Sequence, residues 1–154
     1  MESNEIKSQS VSIPKIKSIY IIGSLRNQEI PLIANLFDNL GIEAFADWWG
    51  AGHEADDWWK TYNDDRGIDY FDALKGYAAQ NVFQFDKTHL DRCDAALLVL
   101  PAGRSGHLEL GYTVGRGKPA FILADDKLGK ERWDVMYAFV DQVFRNKEEM
   151  IAYL

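Results

Sequence analysis

Short apolar runs alternating with stretches of helical periodicity constrain this chain most, because few architectures accommodate that alternation. Residues 16–22 (Ile-Lys-Ser-Ile-Tyr-Ile-Ile), 42–46, 95–100 and 118–124 each have the length and composition of a strand. The third, Ala95-Ala96-Leu97-Leu98-Val99-Leu100, contains no polar side chain and reads as buried. Between the first two runs, Ile30, Ile33, Leu36, Phe37 and Leu40 recur at helical spacing within residues 28–40, and Gly41 follows as a C-terminal cap. Residues 16–46 therefore form a βαβ unit. A second helix is predicted over 81–93 and a closing helix over 131–145. Strands alternating with helices imply an α/β fold, a doubly wound, flavodoxin- or Rossmann-like sheet of four to five mostly parallel strands with flanking helices. No internal repeat or low-complexity segment interrupts the pattern.

At 154 residues the chain is long enough for one domain with a full core. We place that domain over 15–154, behind a polar, flexible tail at 1–14. Four of the five tryptophans fall in residues 47–80, as Trp48-Trp49 and Trp58-Trp59, amid Asp56, Asp57, Asp64 and Asp65. This segment reads as one or two helices with loops; such aromatic clusters belong more often to core or subunit interface than to ligand stacking. The acidic pairs read as a solvated face rather than a cation site. A net charge of -7 argues against a nucleic-acid polymer as partner and leaves a small anionic ligand open. A single cysteine, Cys93, excludes an internal disulfide and fits a reducing cytoplasm, where it packs at a helix end. No run is long and apolar enough to span a membrane, and the first dozen residues lack the apolar centre of a secretion signal.

The third strand leads into Pro101-Ala102-Gly103-Arg104-Ser105-Gly106-His107-Leu108-Glu109-Leu110-Gly111-Tyr112. With Ser105 as N-cap, Glu109 lies in the first helical turn past a strand, where open α/β sheets keep their ligands. An acid there is favoured by the helix dipole alone. A capping box, however, would need Glu or Gln at 108, where Leu108 stands. Glu109 is thus the candidate nucleophile, with a dipole-stabilised structural acid as the alternative. Gly111 and Gly115 each cost about 1 kcal/mol in a helix interior, which close approach to a sheet or ligand would offset. A second loop, Gly23-Ser24-Leu25-Arg26-Asn27, follows the first strand and precedes a helix. Its small residues, helix N-terminus and Arg26 suit a phosphate, although a turn with a solvated arginine is an equal reading. It is neither a Walker loop nor a dinucleotide fingerprint. Gly103, Arg104, Ser105 and Gly106 repeat the arrangement before the Glu109 helix.

Taken together, Ile19-Tyr20-Ile21-Ile22-Gly23-Ser24-Leu25-Arg26, Asp86 leading to Asp91-Arg92-Cys93-Asp94, and Ser105 to Tyr112 with Gly117-Lys118-Pro119 resemble the nucleoside 2-deoxyribosyltransferase superfamily, which includes the 2'-deoxynucleoside 5'-phosphate N-hydrolases. The resemblance covers residues 16–124, and the tryptophan-rich segment has no counterpart in it. It implies cleavage of an N-glycosidic bond with Glu109 as nucleophile. It also implies an aspartate that assists the departing base, for which Asp86 fits and Asp91 and Asp94 are rivals, and a tyrosine, Tyr20, that orients the glutamate. Phosphate recognition would fall to Gly23, Ser24 and Arg26 with the loop of Gly103, Ser105 and Gly106. Ser105 stands closer to Glu109 than the corresponding serine usually does. Arg104 and Ser105 occupy the place of an acidic, sugar-contacting residue of the transferases, which tilts the reading toward a phosphorylated substrate.

The expected function is an N-glycosidase acting on a nucleoside 5'-monophosphate through a glycosyl-enzyme intermediate. Base exchange by a nucleoside 2-deoxyribosyltransferase, cleavage of NAD, and a non-catalytic nucleotide-binding module are the alternatives. The ligand is a small nucleoside or nucleotide, with no cofactor and no metal, since His53, His89 and His107 lack zinc-ligand spacing. His107, two residues before Glu109, is the one histidine expected near the pocket. The resemblance also implies a homodimer or larger homo-oligomer, for which Trp133, Met136 and Tyr137 on the last helix are candidates.

Overall fold

The computed structural model describes residues 15–125, 128 and 133–154; the proposed tail at 1–14 lies outside them. Five strands form one sheet in which every neighbouring pair is parallel. The strands are β1 (Ser18–Ile22), β2 (Glu43–Phe45), β3 (Ala95–Val99), β4 (Ala120–Leu123) and β5 (Gln142–Phe144), in spatial order β2-β1-β3-β4-β5. Every residue of β1, β3 and β4 is buried, the expected state of central parallel strands covered on both faces.

Successive side chains leave a strand on opposite faces, so β1 feeds two apolar layers. Ile19 and Ile21 join Leu97, Phe121 and Phe144 under α1 (Ile30–Asn39) and α6 (Lys147–Tyr153), which supply Ile30, Ile33, Phe37 and Met150. Tyr20 and Ile22 join Ala96, Leu98 and Ile122 under α4 (Tyr77–Arg92) and α5 (Arg104–Gly115), which supply Leu90 and Leu110. The expected doubly wound sheet is therefore present, with five strands. Among the described residues, no helix is long and apolar enough to cross a membrane.

The first crossover follows expectation closely. Pro31 lies in the first turn of α1, where its missing N–H costs nothing, and Gly41, at φ 79°, takes the left-handed position just past the helix. The tryptophan-rich segment forms a 3-10 turn at Asp47–Ala51, α2 (Ala55–Asp65) and the single turn α3 (Tyr70–Ala73). Helix α4 then begins at Tyr77, four residues before the position read from periodicity. Cys93 closes it in the buried position expected. Lys118 donates to the carbonyl of Cys93 at 2.9 Å and to that of Asp91, satisfying the orphan carbonyls at this helix end.

Two expectations fail. The closing helix predicted over 131–145 is, in its described part, a 3-10 turn at Val135–Phe139 followed by strand β5, and the closing helix is α6. Met136 and Tyr137 thus lie in this turn, with Trp133 just before it, and not on the last helix. Val140, Val143 and Phe144 mimic helical spacing, but the open edge of β4 supplies a ladder that pairs Ile122 with Val143 and Leu123 with Phe144. The second failure is the start of α5. Its N-cap is Gly103, in extended backbone without a side-chain cap, so Ser105 is the second helical residue and Glu109 lies in the second turn. The helix-dipole reading of Glu109 loses its basis, because that effect fades beyond the first turn. A Cβ on Gly111 or Gly115 would meet nothing within 4 Å, so close approach to the sheet does not explain either glycine.

Candidate active site

In this strand order the chain leaves β1 toward α1 on one face and leaves β3 toward α5 on the other. The carboxyl ends of two adjacent strands thus part company between β1 and β3, where doubly wound sheets form their ligand crevice. Tyr20, Asp86 and Glu109 come together on the α4–α5 side of it.

Glycine makes this approach possible. Gly106 is buried, and a Cβ there would stand 3.0 Å from Ile22 Cγ2 and 3.1 Å from Leu98 Cδ1. The absence of a side chain at Gly106 lets α5 lie this near β1 and β3 without displacing Ile22 or Leu98. Glu109 follows three residues later, nearly one helical turn, and is carried onto the Tyr20 side of the sheet.

Burial pushes the Glu109 carboxyl up from 4.5 to about 7. A hydrogen bond from the Tyr20 hydroxyl opposes the rise and the negative charge of Asp86 adds to it. Burial also lifts Asp86, from 3.8 to about 6. Tyr20 is 1% exposed and rests on Phe45 at 5.2 Å between ring centres. Burial and the two neighbouring carboxylates raise its phenol far above the ordinary tyrosine range, so it remains a hydrogen-bond donor. Glu109 Oε2 is buried with no hydrogen-bond partner among the described residues. An unpaired buried carboxylate oxygen costs stability, the mark of a group held for a ligand or a reaction.

The two rival aspartates are engaged elsewhere. Asp91 accepts from Lys87 Nζ at 2.8 Å and from the Tyr112 hydroxyl at 2.5 Å, and these bonds hold its carboxyl below the ordinary range. Asp94 Oδ2 accepts from the backbone N–H of Lys17 at 2.8 Å and of Ser18 at 3.2 Å, joining the start of β1 to the end of α4. Neither is among the groups that shift Glu109.

The loop after β1 is a tight turn in which Asn27 N donates to Ser24 O at 3.0 Å and Arg26 N to Ser24 Oγ at 3.1 Å. Ser24 Oγ accepts in that bond and keeps its own proton to donate. A Cβ on Gly23 would lie 2.7 Å from Ile30 Cδ1, so the turn hugs the start of α1. The Arg26 guanidinium is largely exposed and stands 3.9 Å from Asp57 Oδ2 on α2. In the second loop Gly103 and Ser105 are exposed, while Gly106 serves packing as described. His107 is tied down at both ring nitrogens. Nδ1 lies 2.8 Å from the Gly103 carbonyl and Nε2 lies 2.9 Å from the Tyr137 hydroxyl, with the two rings stacked. Since a carbonyl only accepts, Nδ1 carries the proton in the contact with Gly103. His107 straps α5 to the 135–139 turn. A cleft of about 580 Å³ lined by Ala102, Gly103, Arg104, His107 and Leu108 lies beside this strap and includes none of the three acid-site residues. Among the described residues no group of three ligating side chains is arranged to hold a metal.

Sequence reasoning missed two contacts. The Trp48 indole donates to the Ile21 carbonyl at 2.8 Å, and the Trp49 indole to the Asn27 carbonyl at 2.9 Å, so both reach the loop after β1. A half-buried indole N–H needs an acceptor, and that need is the only signal the sequence carried.

The sequence matches no protein-family model and no curated relative. Solved structures do match. A 2-deoxyribosyltransferase from the psychrotolerant bacterium Bacillus psychrosaccharolyticus is 16% identical with a TM-score of 0.59, over 86% of this chain and 89% of that one. A conserved protein from Enterococcus faecalis V583 is 14% identical, also with a TM-score of 0.59, over 90% of this chain and 96% of that one. The chain is thus a doubly wound α/β protein with a half-buried pair of carboxyl groups at its switch point. Its particular fold is that of the 2-deoxyribosyltransferase structure.

Proposed function

We propose that this protein is an enzyme that cleaves the base–sugar bond of a nucleoside 5'-monophosphate, with Glu109 as nucleophile. The observation that carries the reading is the buried Glu109 carboxyl, unpartnered at Oε2 and flanked by Asp86 and Tyr20. Two neighbouring carboxyl groups of raised pKa can hold a single proton between them; burial favours that proton on Glu109, so the reactive form, with Glu109 ionised and Asp86 protonated, is the less populated form of the singly protonated pair.

In the first step an ionised Glu109 oxygen bonds to the anomeric carbon. The carbon–nitrogen bond breaks, its electron pair stays with the base, and protonated Asp86 supplies the proton the base needs. The product is a glycosyl ester of Glu109. In the second step Asp86, now ionised, takes a proton from water as the water oxygen attacks the same carbon, and the Glu109 carboxylate is released. Tyr20 donates a hydrogen bond to the carboxylate and fixes the oxygen that attacks. Arg26, the Ser24 hydroxyl and the N-terminal end of α1 bind the 5'-phosphate, with Gly103 and Ser105 on the facing loop. The fold shared with a 2-deoxyribosyltransferase supports the glycosyl ester, since base exchange differs only in what intercepts it.

The test is free base released from a panel of nucleosides and their 5'-monophosphates, with and without an added acceptor base. Release from monophosphates without an acceptor is expected, and Glu109→Ala abolishes it in a protein that still folds. Activity retained by that variant removes Glu109 from the nucleophile's role. Arg26→Ala should weaken the phosphorylated substrates selectively, and equal losses on nucleosides would remove the phosphate role.

A further inference from the structure

Two adjacent tryptophans hold the loop after β1 at both of its ends. Strand β2 stops at Phe45, opposite Tyr20, so the ladder on that side of β1 ends before Ile21. The chain then turns through Asp47–Ala51, and Trp48 Nε1 donates to the Ile21 carbonyl at 2.8 Å, just beyond the last paired residue. Trp49 Nε1 donates to the Asn27 carbonyl at 2.9 Å, an oxygen that also receives the N–H of Ile30 at 3.3 Å. The intervening stretch, Ile22 to Arg26, contains every residue to which the phosphate role was given in this loop. Both indoles are half-buried and pack on the core between the sheet and α1, so each ring is fixed independently of the loop.

We infer that Trp48 and Trp49 are positioning residues for phosphate recognition: their indole N–H groups clamp the Gly23-to-Arg26 turn in its binding shape. The inference rests on the phosphorylated-substrate reading above and gives the tryptophan-rich segment a part in it. A loop that meets its ligand preformed does not spend binding energy on ordering itself. Arg26 is the side chain that most needs such support, because among the described residues its only charged contact is the loose one to Asp57. The structure also supplies an internal control. Trp59 Nε1 is buried with no hydrogen-bond partner among the described residues, so removing that N–H takes away no bond.

Trp48→Phe and Trp49→Phe keep an aromatic ring and delete one hydrogen bond each; Trp59→Phe is the control. Amide exchange at Arg26 and Asn27 reports the clamp, with β3 amides reporting the rest of the fold. Affinity for 2-deoxyribose 5-phosphate relative to 2-deoxyribose reports its purpose. Each loop variant is expected to speed loop exchange and reduce the phosphate preference about fivefold, the equivalent of about 1 kcal/mol for one hydrogen bond. Neither quantity should move in Trp59→Phe. Loop exchange unchanged in both loop variants overturns the clamp. Faster exchange with an unchanged phosphate preference, or a wild-type protein with no such preference, overturns its role in recognition. A wild-type protein that prefers the phosphate but releases no base overturns the proposed reaction and leaves the clamp standing.

Discussion

Replacing Glu109 with glutamine should stabilise the protein, and the gain should depend on pH. At about 1.36 kcal/mol per pH unit, raising a carboxyl from 4.5 to about 7 costs its ionised form about 3 kcal/mol. The folded protein then holds the Glu109 proton more tightly than the unfolded chain does. Wild-type stability therefore falls as pH rises from about 4.5 to about 7, and no further fall from this group follows above that. An amide of the same shape never ionises, so the variant lacks this fall. The excess stability of Glu109→Gln should be small near pH 5 and approach about 3 kcal/mol at pH 8, which for a chain of this size is about 6–12 °C in Tm.

Urea unfolding of both proteins from pH 5 to 8 measures this directly. Asp86 adds its own decline between 3.8 and about 6, but in both proteins, so subtraction leaves Glu109. A difference that stays constant with pH would show that the native carboxyl titrates as it does in water. A difference of opposite sign would show that the folded protein favours the carboxylate, and the buried, unpartnered oxygen would lose its meaning. A variant that gains stability and loses base release is the expected signature of a residue kept for chemistry.

Other perturbations separate packing from catalysis. Gly111→Ala places a methyl in open space and should add about 1 kcal/mol in urea unfolding; a destabilised variant would contradict the exposed position. Gly106→Ala sets a Cβ 3.0 Å from Ile22 and 3.1 Å from Leu98 and should cost about 1–3 kcal/mol, with an unchanged melting curve refuting the tight α5 contact. Asp57→Asn releases Arg26 from its ion pair and should tighten 2-deoxyribose 5-phosphate about twofold at low salt, the gain fading as salt screens the pair; no change at any salt would remove Asp57 from that role. With the reactive pair carrying one proton, kcat/KM for a nucleoside 5'-monophosphate should be bell-shaped with its maximum between about 6 and about 7. Asp86→Asn should leave a profile that rises with pH to a plateau, lowered about 10²- to 10⁴-fold, and a retained bell would assign the acid elsewhere.

The central strands were legible because burial on both faces makes them nearly continuous apolar runs; β3, with five buried apolar residues, is the clearest case. Strand β5 was not, since three residues cannot distinguish a strand from a helical turn, and only the free edge of β4 decides between them. A cue to α6 was nonetheless present. Asn146 caps Glu149 N while Glu149 returns a bond to Arg145 N, close to a capping box, and it places the helix start after residue 145. The start of α5 was misread for the converse reason: a good capping residue, Ser105, stands two positions inside a helix whose true cap, Gly103, contributes no side chain. In the site, Glu109 stood out by its place past the third strand, whereas Tyr20 entered only through the family resemblance; the structure sets the two side by side. The preference for Asp86 over Asp91 and Asp94 also came from the resemblance, because spacing alone does not say which face of α4 meets α5. The indole bonds of Trp48 and Trp49 were invisible because their acceptors are backbone carbonyls of another element.

The two ends of the site differ in a way that orients a ligand. At one end Tyr20 is buried and Glu109 and Asp86 are half-buried, and both carboxyl groups resist ionisation. A free anion gains nothing by entering there. A sugar carbon that becomes cationic as its bond to the base breaks does, because a low-dielectric setting strengthens its attraction to a carboxylate at the moment of reaction. At the other end Arg26 is exposed and loosely paired, so an incoming phosphate can displace Asp57 and gain a planar, charge-assisted contact. Tyr20 and Gly23 lie three residues apart along the strand and its exit, about 10 Å of extended chain. On the proposed function, a sugar ring and its 5'-phosphate arm would bridge such a gap, with the anomeric carbon toward Glu109. The reversed orientation would place a dianion against two carboxyl groups and the base in open solvent, and it is disfavoured at both ends.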